Sequence, residues 1–255
     1  MPINHTDPRA PYRQIADDLR AAIQSGELRP GDKLPSIREL TERYGVTHVT
    51  ADQALRVLKA EGLVDVRRGR GSYVRQPRPL IHVSSNYLVA RPGEPRSQWS
   101  IEAQAQGLRA GQQIREVATV PAPAEIAELL GIPVGDPVVV RRRVMLIEDE
   151  PAQLADSYYP SEVADGTELA ESAPLRGGTI GALERLGHSP ARFRETITVR
   201  MPAPDEIRTL QLSAGVPVAR LLRTTYAAGD RVVEVDDTVL AGDRHVFSYD
   251  FPAQQ

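Results

Sequence analysis

The sequence predicts an α+β protein in two parts: an N-terminal winged helix-turn-helix domain, and a C-terminal, mostly antiparallel sheet domain carrying helices. Three observations predict it. Residues 1–75 run through three amphipathic helical stretches into a basic, glycine-bearing hairpin; residues 76–83 read as a linker; and within 84–255 a strand-helix-strand-strand pattern is written twice. Charge divides along the same line. The chain of 255 residues has net charge −3, but residues 1–75 hold 13 Lys and Arg against 10 Asp and Glu, and the remainder 18 against 24. A small basic part is joined to a larger acidic one.

Helix one carries Tyr12, Ile15, Leu19 and Ile23 at helical spacing and stops at Gly26. Ser36 and Glu39 then form an S-x-x-E capping box, so helix two starts there, buries Ile37, Leu40 and Tyr44, and ends at Gly45. Thr47 or Thr50 caps helix three, with Ala51, Ala54, Leu55 and Leu58 inward and His48, Val49, Asp52, Gln53 and Arg56 outward. So short a turn between two helices gives the geometry that offers the second helix's N-terminus to a major groove. Leu63 to Val66 and Ser72 to Val74 are short strands around a tip, Arg67-Arg68-Gly69-Arg70-Gly71. Arginine forks at such a tip can hold phosphates or guanine edges, and its glycines let backbone approach a phosphate.

Leu34-Pro35-Ser36-Ile37-Arg38-Glu39-Leu40, Tyr44 to Thr50, Ala54-Leu55, Glu61-Gly62-Leu63-Val64 and Arg68-Gly69-Arg70-Gly71-Ser72-Tyr73-Val74 resemble the DNA-binding domain of GntR-family transcription regulators. The resemblance covers about residues 10–75. It implies that Ser36, Arg38, Thr47, His48, Val49, Thr50, Arg68, Gly69 and Arg70 face a double-stranded DNA operator. Two positions depart from the pattern: His48 and Asp52 stand where relatives carry arginine. A neutral imidazole makes one base contact rather than a guanine fork. Asp52 pairs with Arg56 one turn on or, less favoured, contacts a cytosine. An operator that departs from the family sequence at one or two positions follows as an expectation.

The linker, Gln76-Pro77-Arg78-Pro79 and the residues to 83, is stiff rather than floppy. Residues 84–113 are polar and poorly patterned, with a short helix at Ile101 to Ala105 and a loop at Val89 to Arg96. Trp99, the one tryptophan, reads as a core anchor before a pocket lid. Beyond this, Pro121-Ala122-Pro123-Ala124-Glu125-Ile126 recurs as Pro202-Ala203-Pro204-Asp205-Glu206-Ile207, and Gly135-Asp136-Pro137-Val138 as Gly215-Val216-Pro217-Val218. Arg143 and Arg223 fall at equivalent places, as do Asp156 and Asp236, and a helix near Thr179 to Leu186 separates the copies. Arg141-Arg142-Arg143 lies inside a strand, so alternation puts Arg141 and Arg143 on one face and Arg142 on the other. Two guanidiniums under the helices call for an anion; otherwise they pair with Glu234, Asp236 or Asp156, or sit in solvent.

This second part resembles the effector domain of the HutC subfamily, called UTRA, which shares the chorismate-lyase fold. The residues that carry the resemblance include Gly107, Ile126-Ala127, Leu130-Gly131, Val138 to Arg143, Asp149-Glu150-Pro151-Ala152, Ser157-Tyr158-Tyr159-Pro160, Glu234, Thr238 and Gly242-Asp243-Arg244 with Phe247, over about 84–250. It implies that Arg141 and Arg143 hold a small acidic or phosphorylated effector, with Ser157, Glu234, Asp236 and Thr238 on its polar groups. Leu240 replaces a tyrosine common among relatives, which weakens the case for a sugar-type ligand.

The chain has no cysteine, which excludes disulfides, thiol catalysis and thiolate metal sites. His5, His48, His82, His188 and His245 form no metal-binding pair, and no nucleophile elbow, Walker or dinucleotide fingerprint occurs. No enzyme activity, no cofactor and no metal are expected, a lyase-like enzyme being a remote alternative. With neither leader nor apolar span, the expected place is the cytoplasm and no membrane partner is expected. The reading is a homodimeric repressor on an inverted-repeat operator, released by an anionic metabolite; its rival is a constitutive repressor whose second domain only dimerises.

Overall fold

The computed structural model describes residues 3, 6–67, 70–75, 80–83, 94–213 and 215–250. The chain divides into two compact units, residues 1–78 with 212–216 and residues 79–211 with 217–255.

In the first unit, α1 (Pro11–Gln24), α2 (Ile37–Tyr44) and α3 (His48–Ala60) pack Ile15, Leu19, Leu40, Tyr44, Ala51, Ala54 and Leu58 into one core. The reciprocal cap is formed: the Glu39 amide donates to Ser36 Oγ at 3.2 Å, and the Ser36 amide donates to Glu39 Oε2 at 2.7 Å. Gly45 ends α2 in the left-handed conformation, φ +65°, with nothing near a would-be side chain. Strands β1 (Val64–Arg67) and β2 (Gly71–Val74) pair antiparallel, Arg67 opposite Gly71 at the tip, and Lys33 bridges to Tyr73. Arg68 and Gly69 lie outside the described residues.

The second unit is built on six antiparallel strands in the order β4-β5-β6-β9-β8-β7: β4 (Ala110–Pro121), β5 (Pro137–Ile147), β6 (Glu150–Pro160), β7 (Arg192–Arg200), β8 (Val218–Tyr226) and β9 (Val232–Ala241). The helices are α4 (Gln98–Ala105), α5 (Ala124–Leu130), α6 (Ser161–Ala164), α7 (Gly178–Arg185) and α8 (Pro204–Leu210). Both copies of the repeated pattern are therefore strand-helix-strand-strand, and α7 separates them as the sequence predicts. Their register corrects one equivalence. Arg143 pairs with Ala155 and Arg223 with Asp236, while Asp156 faces Asp237 across β6 and β9. Asp156 thus corresponds to Asp237, not Asp236, and the pseudo-twofold axis passes between those two. An alignment of short matches misses this because the β5–β6 and β8–β9 hairpins differ by one residue in length.

On one sheet face, Val139 and Tyr159 pack with Leu169, Ala182 and Leu183, and further along Met145 and Ala155 pack with Leu80, Trp99 and Ala103. On the other face, Val138, Val140, Tyr158 and Val235 receive Ile126, Ala127 and Leu130 of α5. Residues 80–83, expected within the linker, instead form strand β3 (Leu80–Val83), parallel to β10 (His245–Ser248). Leu80 is fully buried against Trp99, which makes that stretch part of the core rather than of a hinge. Trp99 anchors this core and also lines a cavity on the same face, and its indole N–H donates to the Gly111 carbonyl at 3.2 Å.

Candidate operator-facing surface and effector cavity

The first candidate surface is the exposed end of α3 with its flanks. Thr47 caps the helix, its Oγ1 accepting from the Thr50 amide at 3.3 Å, and the two hydroxyls lie 3.0 Å apart. That cap leaves His48 and Val49 exposed in the first turn, Val49 at 72 %. Ser36 at the cap of α2 and Arg38 in its first turn are exposed; the Arg38 side chain is 88 % in solvent and, among the described residues, pairs with Glu42 one turn on. Asp52 pairs with Arg56 at 2.7 Å, the favoured reading of that position. Arg70 is exposed at the hairpin, and its carbonyl accepts from the Tyr73 hydroxyl at 3.1 Å. Ser36, Arg38, Thr47, His48, Val49 and Arg70 are thus all exposed, with Thr50 half-buried.

The second candidate is a cavity of about 80 Å³ on one face of the six-stranded sheet. Arg143, Glu234, Asp236 and Thr238 line it together with Arg223, His82 and Gln153, and the start of α7, Gly178 to Ile180, closes one side. Ser157 lies beside them, fully buried, its hydroxyl bonded to both the Arg143 guanidinium and Asp236. Arg143 stands 3.6 Å from Asp236, and Arg223 donates from Nε to Glu195 at 2.8 Å. Glu234 accepts from Tyr159 at 2.7 Å and Thr225 at 3.1 Å. Burial, and then the charge of Asp236, raise its carboxyl to about 7. The tight turn into α7 needs glycine. Gly177 and Gly178 have φ +72° and +67°, and a side chain on either would come within 2.9 Å of Glu94 O or Ser97 Cβ.

Arg141 does not join this group. It shares the face with Arg143, as alternation requires, but its guanidinium donates to the carbonyls of Leu169 at 2.9 Å, Glu171 at 2.6 Å and Ala173 at 2.7 Å. Both of its terminal nitrogens are taken by backbone of the crossing segment, so it fastens that segment instead of lining the cavity. Arg223 takes the place beside Arg143 that was expected of Arg141. The internal repeat carried that signal, since it set Arg143 and Arg223 at equivalent places. His82 and Gln153 carried no signal at all. His82 stacks on His245 of β10 with ring centroids 5.1 Å apart, and its Nδ1 lies 3.2 Å from Glu102 of α4, contacts that follow from the unforeseen strand β3.

A winged helix-turn-helix and a sheet domain with a buried arginine cavity in one chain define a narrow class, and comparison with known proteins names it. Residues 11–74 match the bacterial regulatory proteins of the gntR family, and residues 105–246 match the UTRA domain. The chain belongs to the GntR family, HutC subfamily. It is a transcription regulator and not an enzyme. An HTH-type transcriptional regulator of Streptomyces coelicolor is 34 % identical over 96 % of this chain and 94 % of its own. The transcriptional repressor NagR of Bacillus subtilis is 29 % identical over 97 % of each. The crystal structure of PhnF from Mycobacterium smegmatis, 27 % identical, superposes with a TM-score of 0.61 over 94 % of this chain and all of that one. Among the described residues, no helix is long and apolar enough to cross a membrane.

Proposed function

We propose that this GntR/UTRA regulator is a repressor that grips an inverted-repeat operator as a homodimer and is released when a small acidic or phosphorylated metabolite enters the sheet cavity. Residues 1–75 are the reader and residues 80–255, which include strand β3, the sensor, and the protein acts on cytoplasmic DNA. The observation that carries the metabolite class is the pair of guanidiniums, Arg143 and Arg223, whose side chains are only 11 % and 9 % exposed at one cavity. Desolvated cations gain most from an added anionic partner, since water no longer competes for them. The Gly178 amide donates to the Leu175 carbonyl, but Thr179 and Ile180 in the first turn of α7 add N–H groups without helical acceptors, and the positive dipole end favours an anion. Ser157, Glu234, Asp236 and Thr238 are then placed to sort the ligand's hydroxyl or amide groups. NagR and PhnF are both named repressors, which supports repression over activation.

A metabolite that binds the non-operator state better by about 1–3 kcal/mol changes operator affinity 5–150-fold by linkage. The test is a thermal-shift screen of acidic and phosphorylated metabolites, followed by fluorescence anisotropy on operator DNA. Arg143→Ala abolishes metabolite-driven release and leaves operator affinity within about twofold; an unaltered release takes the cavity out of the mechanism. In the reader, Arg38→Ala weakens operator binding by about 1–3 kcal/mol, the worth of a good base contact, and leaves metabolite binding intact.

A further inference from the structure

We infer that α3 reads A·T base pairs, with Val49 against a thymine methyl and Gln53 bidentate on an adenine, and that no guanine fork comes from this helix. The inference rests on the operator-binding reading above and narrows it to a base class.

The outward stripe of α3 is Val49, Asp52, Gln53 and Arg56, spaced at i, i+3, i+4 and i+7, opposite the buried Ala51, Ala54, Leu55 and Leu58. Each member has a defined state. Arg56 is the sole arginine of the helix and its Nη2 sits 2.7 Å from Asp52 Oδ2, so the cation that could fork onto guanine and the carboxylate that could accept from cytosine answer each other. His48 offers a single ring nitrogen in each role, which cannot make the two parallel bonds that guanine recognition uses. Gln53 is exposed, with no hydrogen-bond partner among the described residues, and its amide matches N6 and N7 of adenine. Val49 is the most exposed large hydrophobic among the described residues, at 72 %. A valine gains nothing from phosphate or water. In the first turn of a helix seated in the major groove, the apolar group within its reach is the thymine 5-methyl.

The experiment uses the full-length protein. Selection from a random duplex library, run in parallel with Val49→Ala and Gln53→Ala, identifies the base positions whose preference follows each side chain. Anisotropy then compares the selected duplex with one carrying deoxyuridine for thymidine at the Val49-dependent position. The expected result is A·T at both positions, and an approximately fourfold weaker wild-type complex with deoxyuridine. Fourfold is the ~0.8 kcal/mol of one buried methyl converted at 1.4 kcal/mol per tenfold. Val49→Ala should bind the two duplexes within about twofold of each other, and Gln53→Ala should relax the adenine preference while keeping the thymine effect. Equal wild-type affinity for the two duplexes, or G·C at the positions that follow Val49 and Gln53, overturns the inference and leaves operator binding standing. Selection that enriches no sequence overturns the operator reading itself, and this inference with it.

Discussion

On the side of the sheet covered by α4 and α7, Arg143 and Arg223 keep about a tenth of their side chains in water and Arg141 is 1 % exposed. On the side of α5 and α8, Arg142 and Arg220 keep 34 % and 25 %, and each faces two carboxylates: Glu116 and Asp156 for one, Glu125 and Asp237 for the other. The strands and the residue type are the same. What differs is the cover. A helical and looped cover removes water from Arg141, Arg143 and Arg223, so each hydrogen bond they make is strong and each missing one is costly. The open side leaves its ion pairs in contact with solvent, where attraction and desolvation nearly cancel. Strand alternation distributes side chains between faces, and the cover decides which face can bind something.

The contrast is broken most directly at Arg141. Arg141→Met keeps much of the side-chain volume but leaves three carbonyls of residues 169–173 without their donor. Urea unfolding should show a loss of about 3–5 kcal/mol, because three buried carbonyls each lose their donor at a cost of about 1–3 kcal/mol. A loss below about 1 kcal/mol would mean that the segment is held by its own contacts and that burial gives this arginine no special weight.

Next in size is the pH dependence written into Glu234. Its carboxyl, raised from 4.5 to about 7 by burial and Asp236, holds a proton in the folded state that the unfolded chain has released. Between those values the native state binds more protons, so stability falls as pH rises from about 4.5 to 7, by about 3 kcal/mol in total. Glu234→Gln fixes the neutral form and should flatten that part of the stability–pH profile, measured by urea titration at pH 5, 6, 7 and 8. A profile of unchanged slope in the variant would assign the dependence to other groups.

The two parts of the chain were legible to different degrees. In the reader, local rules decide structure: the Ser36–Glu39 box and Gly45 act within a few residues and stand in the structure as the sequence predicts, and of the two candidate caps of α3, Thr47 and Thr50, Thr47 takes the place. In the sensor, the repeat and the alternation of Arg141, Arg142 and Arg143 gave the strands and their faces. They could not give the partner of Arg141, because residues 169–173 lie some thirty positions away and present only backbone carbonyls, which every sequence has. Strand β3 was hidden for a similar reason. Leu80-Ile81-His82-Val83 is four residues long, follows a proline-rich stretch, and gains its identity from β10 more than 160 positions later. Short segments paired at long range leave little periodicity to read.

The smallest effect sharpens the contrast from the open side. Glu116→Ala removes a carboxylate that is 49 % exposed from an Arg142 that is 34 % exposed, and Arg142 keeps Asp156 at 3.3 Å. No buried charge is stranded. The lost attraction is screened by water and offset by the rotamer freedom that both side chains regain. Thermal and urea unfolding should therefore place the variant within about 0.5 kcal/mol of the parent, with operator and metabolite binding unchanged. A loss above about 1 kcal/mol would show that the α5–α8 side is as dry as the other, and the cavity would then owe its place to something other than the cover.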